Sequence, residues 1–232
     1  MRKFWNWVKN DGARELRLEG VIAEESWFGD EVTPQVFRAE LNAGSGDITV
    51  WINSVGGDVF AASQIYTMLK EYSSAVTVKI DGVAASAASV IAMAGDVVAM
   101  APPAMMMIHD PSTVAIGNSD EMRAAIKMLG EVKESIISAY ELKTKLPRDQ
   151  IARMMTAETW INARKALELG FADEILYTES GVEDSGEALI YSRASVTNSL
   201  LEKIRCRKPA ATQDKRQFYK RLELLKKTGG KY

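Results

Sequence analysis

The stretch Asp81–Ser89, read Asp-Gly-Val-Ala-Ala-Ser-Ala-Ala-Ser, constrains this chain more than any other. It follows an apolar run with strand chemistry, Ala75–Ile80, and leads into a segment of small helix formers, Ala84–Ala94. A strand, a glycine turn and a serine at the start of an Ala-rich helix form one mechanical unit. The first-turn N–H groups of a helix have no intrahelical partner, and they carry the positive end of the helix dipole. Ser86 is therefore expected beside ready donors for a developing oxyanion. The plainer reading is a small-residue helix packed tightly under a sheet, with Ser86 and Ser89 filling space. Both readings stay open on this stretch alone.

The flanking sequence supplies the frame. Residues 1–12 read as a loose arm. Glu15–Ile22 alternates polar and apolar residues, as a half-buried strand does, and Thr33-Pro34 starts a short helix expected to reach Ala43. Ile48–Ile52 reads as a buried strand and Asn53–Gly57 as a glycine-bearing loop. Asp58 caps a helix to Tyr72 whose apolar face is Phe60, Ile65, Met68 and Leu69. Beyond the Ser86 unit come two apolar runs, Asp96–Met100 and Ala104–Ile108, then a loop, Asp110–Gly117. A long helix is expected from Asn118 or Ser119 to Lys145, ended by Pro147. A helix over Arg148–Met155, another capped by Asn162 and ended by Gly170, and a last strand over Phe171–Tyr177 complete the pattern. Strands alternating with helices through residues 48–177 predict an α/β domain with mainly parallel strands.

Charge separates the chain into two parts. Residues 1–192 hold 17 Lys+Arg against 28 Asp+Glu, whereas residues 193–232 hold 12 against 3. An acidic body and a basic tail without a core of its own suggest separate roles. The single cysteine, Cys206, excludes an intrachain disulfide and suits a reducing, cytoplasmic setting. With one cysteine and one histidine, no structural zinc site is expected, and neither a metal nor a cofactor. No apolar segment has signal-peptide or membrane-spanning length, so no membrane partner is expected.

Two further features point toward chemistry. Asn53-Ser54-Val55-Gly56-Gly57-Asp58 lies between a strand and a helix, where glycines let the backbone turn and expose N–H groups. A plain strand-to-helix turn explains it equally. His109, the only histidine, ends the Met105–Ile108 run. A serine nucleophile needs a base with a pKa near neutrality, and His109 has no competitor within the chain. A packing role for a lone histidine is the alternative.

Three segments together resemble the proteolytic subunits of the caseinolytic (Clp) proteases. Ile52–Val59 is similar to that family's oxyanion-loop motif, Gly82–Ser89 to its nucleophile motif, and Met107–Pro111 to its histidine motif, in the same order and spacing. Leu167–Ile175 resembles the end of the family's domain. The resemblance implies a crotonase-like ββα superhelix with a long handle helix, Asn118–Lys145, assembled into rings around a proteolytic chamber. It implies Ser86 as nucleophile, His109 as general base, and the N–H groups of Gly56 and Ala87 as the oxyanion hole. Aligning Gly170-Phe171-Ala172-Asp173 with the family's closing motif puts Glu158 where the family has its triad aspartate; Asp110 is the competing acid, while Asp149 falls too early and Asp173 in the closing strand. Val55 and Ala87 depart from the family's usual proline and methionine, and neither change removes a backbone N–H.

The implied organisation is an N-terminal arm (1–14), a Clp-type serine protease domain (15–178), an acidic linker (179–192) and a basic, disordered C-terminal tail (193–232). Ser26–Leu41 resembles the phage and prophage branch, whose members act in head maturation. The implied function is a serine endopeptidase, ATP-independent or partner-assisted, that processes phage capsid or scaffold proteins. Protein or peptide substrates and self-assembly into rings are expected. The tail is expected to bind a capsid or scaffold protein rather than a specific nucleic acid, and docking of an unfoldase ATPase is not required. The alternatives are a catalytically silent ring of the same fold used as an assembly scaffold, and an acyl-CoA enzyme, which needs no Ser–His pair.

Overall fold

The computed structural model describes residues 3–10, 13–22, 34–177 and 190–192. All belong to the first of the chain's two units, Met1–Ala194. The basic tail, most of the acidic linker and the start of the Ser26–Leu41 segment lie outside the described residues.

The chain does not open on a loose arm. Strand β1 (Trp5–Asn10) pairs antiparallel with β2 (Ala13–Ile22), Trp5 opposite Leu18. Phe4 and Trp5 are buried, and Trp5 meets Phe37 edge-on at 5.4 Å. Burying two aromatic side chains outweighs the charges around them. Glu40 secures the contact by accepting from Trp5 Nε1 at 2.7 Å and by pairing with Lys3. Phe37 and Glu40 belong to α1 (Pro34–Asn42).

Next come β3 (Ile48–Gly57), α2 (Val59–Lys70), β4 (Val76–Ala85) and α3 (Ala87–Ala92). Both strands run further than their apolar cores suggest. Asn53–Gly57, read as a loop, continues β3 because it pairs with β2 past a bulge, placing Ile22 opposite Gly57. The glycine turn after Ile80 and the first two residues of the segment read as small helix formers, Ala84 and Ala85, continue β4 instead, with Ala84 opposite Ser54. Asp58 caps α2 as expected, its carboxylate accepting from the Ala61 N–H at 2.8 Å. Ile65, Met68 and Leu69 are buried, but Phe60 is 58% exposed, because it shares the outer helix face with Gln64 and Thr67 while its neighbours Ala61 and Ala62 face the core.

The chain continues through β5 (Val97–Met100), β6 (Met105–Ile108), α4 (Ser119–Thr144), α5 (Arg148–Thr156), β7 (Thr159–Asn162), α6 (Ala163–Glu168), β8 (Glu174–Ile175) and β9 (Ile190–Ser192). The expected last strand over Phe171–Tyr177 shrinks to the two residues of β8, since Phe171 turns into the core. The acidic linker ends in β9, which pairs with β7.

Among the described residues the sheet has nine strands in the order β1-β2-β3-β4-β6-β7-β9, with β5 and β8 branching from β4. β2, β3 and β4 are parallel, and α2 makes the crossover from β3 to β4. β4 is the branch point. Thr77–Ile80 pair with β5, whereas Val83–Ala85 pair with β6. This mixed α/β architecture is the fold class read from the sequence. The long helix also forms as read: α4 has 26 residues, about 39 Å at helical rise. A capping box between Asn118 and Glu121 starts it, and Lys145 in a left-handed conformation ends it.

Candidate active site

In open α/β sheets, functional groups gather at the carboxyl ends of the strands. Here β3, β4 and β6 are neighbours, and their carboxyl ends carry Gly56, Ser86 and His109. Three segments distant in sequence therefore meet at one edge of the sheet.

Ser86 sits between β4 and α3 with φ 55 and ψ −125. A non-glycine residue there costs on the order of 1–3 kcal/mol, and such strain persists only where the surroundings hold it. The Ser86 N–H donates to the Met107 carbonyl at 2.9 Å, extending the β4–β6 pairing by one residue. That bond ties Ser86 to the strand that ends at His109. The serine side chain does not cap α3, so its hydroxyl is available elsewhere. It lies 2.7 Å from His109 Nε2. With Nε2 as acceptor, the imidazole is the tautomer protonated on Nδ1. α3 spans only 6 residues, so the local N–H groups matter more than a macrodipole.

Gly56 packs against this elbow with φ 94; a Cβ on it would fall 2.6 Å from the Ala85 carbonyl oxygen and 2.8 Å from Ser86 Cβ. Only glycine permits that approach in that conformation. The same Cβ position lies 3.0 Å from the Ala87 nitrogen, so the two backbone groups of the expected oxyanion hole are adjacent. The Gly56 N–H points to Ser54 Oγ at 3.1 Å, and Ser54 Oγ donates to the Gly20 carbonyl at 2.5 Å. Ser54 is a participant that sequence patterning did not single out; its burial was the missing signal.

The acids separate clearly. Asp110 forms an ion pair with Lys133 at 2.7 Å and accepts from Thr156 Oγ1 at 3.1 Å, and Lys133 donates to Thr156 at 2.8 Å. Its carboxylate thus anchors the loop after His109 to α4 and α5. Asp149 pairs with Arg153, and Asp173 with Lys143 and the Val98 N–H. Glu158 occupies the turn before β7 in a left-handed conformation, φ 48. β6 and β7 are antiparallel with Met107 opposite Trp160 and Ile108 opposite Thr159, so the next step of that register sets Glu158 across from His109. The His109 ring meets Ser86 through Nε2.

A cavity of about 230 Å³ opens beside Ser86 and His109, walled by Val90, Leu129, Val132, Ile136 and Tyr140. Its walls suit an apolar group held next to Ser86. No cluster of potential metal ligands exists among the described residues, and no described helix is long and apolar enough to cross a membrane.

Known proteins share this stretch of chain. A family model described as Clp protease matches residues 13–179. An ATP-dependent Clp protease proteolytic subunit of Deinococcus radiodurans is 27% identical over 155 residues, which cover 66% of this chain and 76% of that protein. Proteolytic subunit 1 of Chlamydia muridarum is 30% identical over 170 residues, covering 72% and 88% respectively. Proteolytic subunit 2 of Thermobifida fusca is 33% identical over 132 residues, covering 56% and 65%. The match to the family runs from the first residue of β2 past the end of β8 and takes in all three strands that carry the site, and on that ground the chain belongs to the Clp protease family.

Proposed function

We propose that the protein is a serine endopeptidase, with Ser86 as nucleophile and His109 as general base. The observation that carries this reading is the 2.7 Å contact between Ser86 Oγ and His109 Nε2. Ser86 Oγ attacks the carbonyl carbon of a peptide bond while His109 Nε2 takes the hydroxyl proton. A C–O bond forms, and the carbonyl electron pair moves to oxygen, where the Ala87 and Gly56 N–H groups receive it. Gly56 thereby exchanges the neutral Ser54 hydroxyl for a charged acceptor, the stronger partner. As the adduct collapses the C–N bond breaks, and His109 returns the proton to the departing amine. Water then attacks the acyl-enzyme with His109 again as base, releasing the carboxylic acid and the free Ser86 hydroxyl.

The substrates we infer are proteins or peptides, processed within a ring of identical subunits. The resemblance of Ser26–Leu41 to the phage and prophage branch favours capsid or scaffold proteins during head maturation, with an ATPase partner optional. A fluorophosphonate probe tests the activity. It modifies an activated serine, so labelling is expected at Ser86 and nowhere else. A folded protein that takes no label would overturn the peptidase reading in favour of a silent assembly scaffold.

The ring rests on a separate observation. α4 buries Ile136, Ile137 and Tyr140, yet leaves Ile126 70% and Leu142 64% exposed, and the preceding loop exposes Val114 and Ile116 almost fully. Apolar groups concentrated in this way mark an association surface. Sedimentation at micromolar concentration is expected to show a discrete oligomer. A stable monomer would remove this part of the proposal.

A further inference from the structure

A buried chain of hydroxyl groups runs from α4 to the elbow that carries Ser86. Tyr140 Oη lies 2.8 Å from Ser89 Oγ, and Ser89 Oγ lies 2.6 Å from the Ser86 carbonyl oxygen. Tyr140 is 1% exposed and Ser89 not exposed at all. Proton counting sets the direction of both bonds. A carbonyl oxygen only accepts, so the one Ser89 hydroxyl proton goes to Ser86. Ser89 Oγ must then accept, and Tyr140 is the donor. Each bond polarises the next, so the chain is stronger than two isolated hydroxyl contacts. Burial pushes the Tyr140 phenol well above its ordinary range, which keeps the donor protonated.

The target of this chain is one peptide unit. In a trans peptide the C=O and the N–H point in opposite directions. The unit that starts at the Ser86 carbonyl ends at the Ala87 N–H, which the proposed mechanism uses to receive the oxyanion. Holding the oxygen from the protein side therefore aims the N–H at the substrate side. Such an anchor has work to do here, because Ser86 occupies a strained conformation that relaxation would rotate. We propose that Tyr140 and Ser89 are positioning residues that orient the Ala87 N–H for transition-state stabilisation. This rests on the serine peptidase reading above. Tyr140 also lines the cavity beside Ser86, so its ring contributes to substrate binding separately from its hydroxyl.

The test compares Tyr140→Phe, Ser89→Ala and the double variant on a short peptide, with turnover expressed per fluorophosphonate-titrated site. Tyr140→Phe keeps the ring and removes the donor, so KM is expected to stay within about twofold while kcat falls about tenfold. Ser89→Ala breaks the same chain from the other end and is expected to cost a similar factor. The double variant is expected to lose no more than the worse single one, since both changes remove one path. A peptide boronate, whose tetrahedral adduct engages the oxyanion donors, is expected to weaken in parallel with kcat. A residue that only supported the fold would change the number of titratable sites and leave kcat per site alone. If Tyr140→Phe fails to fold, Ser89→Ala carries the comparison. Wild-type kcat per site in either folded variant overturns this proposal alone; a wild-type protein that neither labels nor cleaves overturns the peptidase reading and this role with it.

Discussion

Ser86→Ala is expected to bring peptide hydrolysis down to background while leaving the fold and the assembly in place. The expected loss in kcat is on the order of 10⁶-fold, the scale found when a triad nucleophile is removed. The small cost in stability follows from the geometry. The serine backbone is held by its N–H to Met107 and by its carbonyl to Ser89, and alanine keeps both bonds. The side chain lost is one half-buried hydroxyl whose partner is His109, which can turn to water. Alanine also suits φ 55 no worse than serine does, since both carry a Cβ. The change in stability is therefore expected to stay within about 1 kcal/mol. Turnover, thermal unfolding and sedimentation of the purified variant check the three parts. Retained hydrolysis would remove Ser86 from its role.

Glu158→Gln is expected to lower kcat by about 10⁴-fold with little change in folding, the effect of an amide that selects the wrong imidazole tautomer. Asp110→Asn is expected to leave turnover near the wild-type value. The contrast comes from what each acid does. The next step of the β6–β7 register sets Glu158 across from His109. Asp110 instead spends its carboxylate on Lys133 and Thr156, and its loss costs one partly exposed ion pair, worth about 0.5–1 kcal/mol. Glutamate reaches one methylene further than aspartate and offers the same acceptor oxygens. Peptide turnover and thermal unfolding of the two variants decide between the acids. If Glu158→Gln keeps near-native turnover and Asp110→Asn destroys it, the orienting acid is Asp110.

The reach of local sequence is clearest at the helix ends. Asp58 and Asn162 cap their helices as read, and the long helix, read to begin at Asn118 or Ser119, begins at Ser119 with Asn118 as its cap, because a cap depends on a few neighbouring residues and their hydrogen bonds. Strand ends were less legible. Asn53–Gly57 and the glycine turn after Ile80 look like turns by composition, and Ala84-Ala85 like the start of a helix, but the neighbouring strands supply hydrogen-bond partners that keep them extended. β1 and β7 were missed for a related reason. Six residues with interspersed charge, and four with one tryptophan, carry too little periodicity to register alone. Phe60 shows the converse: read as part of the apolar face, it sits on the outer face with Gln64 and Thr67, because the buried Ala61 and Ala62 fix which side of α2 meets the core.

The α/β class, the helices and the candidate pair Ser86 and His109 were legible in the sequence alone, because each rests on local pattern or, for His109, on a chemistry with no rival residue in the chain. The tertiary structure alone decided which backbone and side-chain groups meet. It joined Ser86 to β6 through Met107, turned the Gly56 N–H toward Ser54, employed Asp110 in an ion pair, and ran Tyr140 through Ser89 to the Ser86 carbonyl. The longest of those contacts joins residues 51 positions apart, and the Ser86–Met107 bond exists because β4 leaves β5 for β6 in its second half. A strand that changes partners midway leaves no mark in its own alternation of side chains, since both partners demand the same extended backbone.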